Sequence, residues 1–208
     1  TITVFTHPLA SVNGAVFDYY KVGEGREGIL PRPKDLKEEK LVMDATYELD
    51  DGSYYTKYSH INFEYENDLY GVYGSGLGAF VIKPYSDYFN GGPTRQELSL
   101  HQTYDSPILL WHGHTGHYGR TKLAPEPGWT KVFGPVLFYF NEAETMREAW
   151  ADAKGQLMIE KEQWPYQWID SPQYMSKYRG SVEGIITIGK EASIKNGIAV
   201  LGAPSPDW

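Results

Sequence analysis

Three histidines, His112-x-His114-x-x-His117, form the densest group of reactive side chains in this 208-residue sequence. On a strand, His112 and His114 would share one face. Zinc accepts three imidazoles and can keep a fourth position open. Glycines at 113 and 116 make the run loop-like, and no carboxylate stands at a recognisable spacing from it. A second possible chemistry is a pair of carboxylates flanking a glycosidic bond. The chain has 27 acidic residues and no local signature that selects two of them. A third is a lysine with a histidine, Lys57 with His117. Removing the proton next to a uronate carboxylate, so that the bond to O4 breaks, needs a base, a positive group near the carboxylate and an acid for the leaving oxygen. A lysine can be the base where burial or neighbouring cations favour its neutral form. A histidine titrates near working pH and can be the acid, and an arginine can hold a carboxylate through two parallel hydrogen bonds. Residue types alone leave all three chemistries open.

The elements that must position these groups read mainly as β-strands. TITVF and AVFDYYKV form two strands around a turn at Asn13-Gly14. Residues 23–40, rich in Gly, Pro and charge, read as a long surface loop carrying Arg26 and Arg32. LVMDATYEL reads as one strand. After the turn Asp50-Asp51-Gly52, alternation in SYYTKYSHINFEYE puts Tyr55, Lys57 and Ser59 on one strand face. The bend Gly74-Ser75-Gly76-Leu77-Gly78 joins two strands and lacks the helix that a nucleotide-phosphate loop needs. Arg95–Gln102, Pro107–His112 and TKVFGPVLFYFN supply further strands. One helix is expected over 142–163: Met146, Trp150, Ala153 and Leu157 share a face, Asn141 and Glu144 make a capping-box-like start, and Pro165 stops it. Composition shifts near residue 178, and RGSVEGIITIG and residues 197–202 read as strands of a second unit.

The totals exclude some classes. A net charge of −8 argues against general nucleic-acid binding, although a local basic cluster escapes the global sum through screening. There are no cysteines, hence no disulfides and no thiolate metal site. No run approaches the roughly 18 apolar residues of a membrane span, and no secretory leader stands at the start. The first residue is Thr, which reads as a processed product or a fragment. Aromatic residues make up 15%, with 17 Tyr and 6 Trp. They suit pleated surfaces and would also suit a carbohydrate surface.

The strings DLYGVYGSGLGAFVIKPYSDYFNGGPTRQEL, TGHYG, WTKVFGPVLFYFN, WPYQW and YRGSVEGIITI, in that order, resemble the family 4 polysaccharide lyases, the rhamnogalacturonan lyases. The most specific pieces are Tyr88–Pro93, Gly116-His117-Tyr118, Phe133-Gly134-Pro135 and Arg179-Gly180, and the resemblance runs from about Tyr54 onward. It implies a large antiparallel β-sandwich with one amphipathic helix, its later part over residues 1–178. The opening of a fibronectin type III-like domain would occupy 179–208. It implies a secreted, extracellular, monomeric enzyme that cleaves the rhamnose–galacturonate bond of an acidic plant cell-wall polysaccharide, pectin, by β-elimination. Nucleic acid and membrane would not be partners. By the same resemblance Lys57 is the base and His117 the acid, Arg26 matches an upstream carboxylate-binding arginine, and His112 and Tyr118 would contact the sugar. Relatives carry tyrosines a few residues before the histidine, where this chain has Leu110 and His112. The scheme requires no cofactor and is compatible with a structural calcium ion. The alternatives are a non-catalytic carbohydrate-binding sandwich using Trp111, Trp164, Tyr166 and Trp168, and a metal-dependent enzyme using His112, His114 and His117.

Overall fold

The structure, a computed structural model, describes residues 4–8, 16–87, 92–102, 107–112, 124–186 and 199–200. The chain divides into two compact units, Thr1–Trp164 and Pro165–Trp208.

The first unit is built around a five-stranded antiparallel sheet. Strands β2 (Tyr19–Val22) and β3 (Arg26–Ile29) form a hairpin at one edge. Strands β8 (Leu69–Gly74) and β9 (Leu77–Ile82) lie at the centre, and β13 (Leu137–Glu142) is the other edge, in the order β13-β9-β8-β2-β3. All six residues of β8 and the last five of β9 are buried, so these strands are covered on both faces. That is why their sequences are continuously apolar rather than alternating. The faces can still be told apart by the two-residue period. Leu69, Tyr73, Phe80 and Ile82 pack against Ala149, Trp150, Ala153 and Leu157 of helix α1 (Met146–Gln163). Tyr70, Val72, Ala79 and Val81 pack the other way, against Phe17, Leu30, Leu36, Tyr47, Tyr55, Leu100 and Leu109.

That second layer is assembled from short antiparallel strands. β1 (Val4–Pro8), β12 (Pro107–His112) and β11 (Leu100–Gln102) make one sheet in the order β1-β12-β11. β7 (Ile61–Phe63) pairs with β10 (Gln96–Leu98). β4 (Leu41–Met43), β5 (Thr46–Glu48) and β6 (Tyr54–Thr56) make a third. The architecture is a β-sandwich with one helix on its outer face, as the sequence leads one to expect.

Several elements differ from the sequence reading in ways that matter for the site. Residues 26–29 are strand, paired residue for residue with β2, so Arg26 stands opposite Val22 on a sheet edge and not in a long loop. LVMDATYEL is a hairpin. It folds back at Asp44-Ala45, where Ala45 adopts φ 46°, a conformation that L side chains rarely take. The segment read as one strand through Lys57 is broken: β6 ends at Thr56, and Lys57–His60 is a 3₁₀ turn. The run 95–102 is two strands separated at Ser99. The helix starts four residues later than read, capped by Thr145, whose hydroxyl accepts from the Glu148 N–H at 3.2 Å while the Glu148 carboxylate accepts from the Thr145 N–H at 3.0 Å. Asn141 belongs to β13, and its amide instead donates to the Ala149 carbonyl and the Asp152 carboxylate.

In the second unit, the described residues form turns and one 3₁₀ helix, Ser176–Tyr178, with Tyr174 buried and the Arg179 Nε–H donating to the Tyr174 carbonyl at 2.7 Å. The part of RGSVEGIITIG that is described, residues 179–186, forms no strand. The Asn13-Gly14 turn lies outside the described residues.

Candidate active site

Lys57 opens the 3₁₀ turn, and its surroundings fix it at three levels. The Thr56 hydroxyl caps the turn by accepting from the Tyr58 N–H at 3.3 Å, and is itself held by the Thr46 hydroxyl at 2.9 Å. The Lys57 N–H donates to the Ala45 carbonyl at 3.2 Å, which ties the turn to the β4–β5 bend. At the side-chain tip, Nζ lies 2.9 Å from Asp44 Oδ1. The other oxygen of that carboxylate, Oδ2, accepts from the Tyr58 hydroxyl at 2.6 Å. The Lys57 side chain is 9% exposed and that of Asp44 58%, so a molecule arriving from solvent meets the carboxylate first. The hydrogen bond to Asp44 pushes the Tyr58 phenol up from its ordinary range, because ionising it would set two anions together.

The far end of the turn is anchored in the core. The His60 carbonyl accepts from both the Ser99 N–H at 2.9 Å and the Ser99 hydroxyl at 2.7 Å, while the Ser99 carbonyl accepts from the Leu110 N–H at 2.9 Å. Ser99, which interrupts β10 and β11, therefore links the Lys57 turn to β12. The His60 ring is 2% exposed, edge-on to Tyr20 with ring centres 4.5 Å apart. Burial first, then the charges of Arg26 and His101, push its pKa down to about 3. It is a neutral core imidazole at any working pH, and the Arg26 guanidinium is near enough to act on it. Arg26 itself is half-buried at the start of β3.

His112 needs a correction. It was expected to touch a sugar, but it is wholly buried at the end of β12. Its Nε2 lies 3.7 Å from Glu97 Oε1, and its carbonyl accepts from the Arg95 guanidinium at 3.2 Å. β12 is covered on both faces: Pro107 and Leu109 are buried on one, Leu110 and His112 on the other, with Ile108 and Trp111 only half-covered. His114, His117 and Tyr118 lie outside the described residues. Among the described residues no group of three His, Asp or Glu is placed to hold a metal ion.

Lys57 and His60 share one turn, and the Arg26 charge acts on the His60 ring; Asp44, Tyr58 and Ser99 complete the surroundings of that turn. Little in the sequence marks them. Asp44 precedes an alanine, not the glycine or asparagine that usually signals a tight bend, and Ser99 looks like any small residue in a strand.

No family model matches the chain. Among curated proteins, it is 34% identical over 150 residues to a rhamnogalacturonate lyase of Dickeya dadantii, covering 72% of this chain and 25% of that protein. It is 27% identical over 197 residues to rhamnogalacturonate lyase B of Emericella nidulans, covering 83% of this chain and 28% of the relative. A probable rhamnogalacturonate lyase B of Aspergillus niger is 26% identical over 208 residues, covering 87% and 28%. The chain spans about a quarter of the length of these relatives.

Proposed function

This chain is homologous to part of the rhamnogalacturonate lyases, and from that premise we propose that it carries the base of a β-elimination that cleaves the rhamnose–galacturonate bond of pectin. Lys57, once freed from its ion pair with Asp44 and in its neutral form, takes the proton from C5 of galacturonate. The electron pair of that C–H bond becomes the C4–C5 double bond as the C4–O4 bond breaks. His117 delivers a proton to the departing oxygen, which stays with rhamnose. Arg26 faces the uronate carboxylate and offsets the charge that builds on it as C5 loses its proton. Asp44 and Tyr58 hold the Lys57 tip so that little rotational freedom is lost when substrate arrives. Protein cations supply the positive charge, so the scheme requires no cofactor.

One observation carries this reading. Lys57, which matches the lyase base by resemblance, is an almost buried lysine held by an exposed carboxylate on a turn fastened to β12. His117 is the fifth residue after the end of that strand. The substrate would be an acidic cell-wall polysaccharide met outside the cell by a monomer. Tyr118 remains a candidate sugar contact, and residues beyond 178 a candidate opening of a fibronectin type III-like domain. Among the described residues no helix is long and apolar enough to cross a membrane.

Incubation with rhamnogalacturonan, followed by ultraviolet absorbance and product mass, tests the proposal. Elimination gives an absorbing unsaturated uronate, lighter by one water than the hydrolysis product. Products of hydrolytic mass without absorbance would replace the scheme with a glycosidase mechanism.

A further inference from the structure

A pocket on the helix side of the first unit has no part in the Lys57 site. It has a volume of about 470 Å³ and is lined by Tyr65, Asp68, Pro84, Tyr85, Ser86, Asp87, Lys161 and Trp164. Three segments build it: the turn between β7 and β8, the chain just after β9, and the last turn of α1. Its base is fixed. Lys83 is completely buried and ion-paired with buried Glu64 at 2.6 Å, also donating to the Glu64 carbonyl at 3.1 Å. The Ser86 hydroxyl donates to that same carbonyl at 3.3 Å. A buried charged pair with its hydrogen bonds made holds one geometry, because breaking it would strand a charge.

Above this base, Tyr85 and Trp164 lie parallel, ring centres 3.7 Å apart and planes 17° from each other. Tyr85 is 45% and Tyr65 38% exposed. Half-exposed aromatic faces beside hydroxyl and carboxylate oxygens suit a ring that is apolar on its C–H face and rich in hydroxyls at its rim. The volume falls within the range of small-ligand sites, roughly 300–1,000 Å³. The charges indicate which kind of ring. Asp68 is paired with Lys161, and Asp87 lies in the field of Lys131. Among the described residues the lining itself includes no arginine, the Arg95 charge acting on Tyr65 from outside it, and it offers several acceptors for hydroxyl groups.

We propose that this pocket is a second saccharide site that takes a neutral sugar ring, stacked on the Tyr85–Trp164 pair with its hydroxyls on Ser86 and Asp87. The site works independently of the elimination chemistry, so its test needs no turnover. Calorimetric titration of the protein would use methyl α-L-rhamnoside and galactobiose as neutral probes and sodium galacturonate as the charged one. Saturable binding of a neutral probe, tighter than galacturonate, is expected. Tyr85→Ala should weaken it about tenfold, the equivalent of about 1.4 kcal/mol. Tyr85→Phe, which keeps the stacking face, should bind like wild type. Because Tyr85 is half-exposed, its variants should melt close to wild type, and each is to be checked by circular dichroism. Absence of saturable binding by either neutral probe, tighter binding of galacturonate, or a folded Tyr85→Ala with unchanged affinity would each overturn the proposal.

Discussion

At the scale of single residues, the account rests on how a long, flexible lysine is kept in one place. Asp44 does this from the bend opposite. Replacing it with Asn should lower kcat by about tenfold to a hundredfold with KM changed far less, since misplacing a reacting group costs on that order. Asp44→Glu should recover part of the loss. Steady-state kinetics on rhamnogalacturonan would separate kcat from KM. Arg26 should behave differently. Arg26→Ala removes the group proposed to face the uronate and should raise KM, while Arg26→Lys should restore little, because a point charge cannot replace a planar fork. His60 makes a prediction about pH. Its folded pKa, about 3, lies below the ordinary 6.5, so between those values the unfolded chain binds a proton that the folded protein refuses. Stability from this group is therefore fully present above pH 6.5 and falls by about 1.4 kcal/mol for each unit below it. Thermal melts of His60→Gln should be flatter than wild type across that window, and equal slopes would contradict the assignment. On the described part of the chain, residue type and resemblance single out Lys57 and Arg26 as the candidates for chemistry. Their partners are not legible, because hydrogen bonding between Asp44, Lys57 and Tyr58 depends on a bend that no residue type announces.

At the scale of elements, the reading of the helix was sound in its face and wrong in its start. Both Asn141 and Thr145 have a glutamate three residues on, and sequence alone cannot rank the two caps. The reading failed more instructively at Lys57. The pattern Tyr-Tyr-Thr-Lys-Tyr-Ser alternates like a strand, but Thr56 accepts a local hydrogen bond and turns the chain. The central hairpin allows a sharp contrast between two glycines. A Cβ on Gly71 would stand 2.2 Å from the Ala79 carbonyl oxygen in the neighbouring strand, whereas one on Gly155, in the helix, would meet nothing within 4 Å. Gly71→Ala should therefore be severely destabilising, and Gly155→Ala should stabilise by about 0.5–1 kcal/mol through helix propensity. Denaturant titration of both variants checks the pair. Trp150, which closes the helix–sheet interface against Phe80 with ring centres 5.9 Å apart, should cost about 3–5 kcal/mol when cut to Ala.

For the whole molecule, β-sandwich and helix were readable because buried strands and an amphipathic stripe leave periodic marks. The layer order was not, because β8 and β9 are covered on both faces and show no alternation to orient them. A net charge of −8 sits awkwardly with an acidic polymer. Local cations such as Lys57 and Arg26 resolve the conflict only if the substrate meets them inside a screened groove. The claim on which everything depends is that Lys57 takes the proton from C5. The most direct check is the initial rate of unsaturated product from rhamnogalacturonan for wild type and for folded Lys57→Ala. The account predicts steady growth of ultraviolet absorbance with the first and none above background with the second. Comparable rates for the two would remove Lys57 from the chemistry.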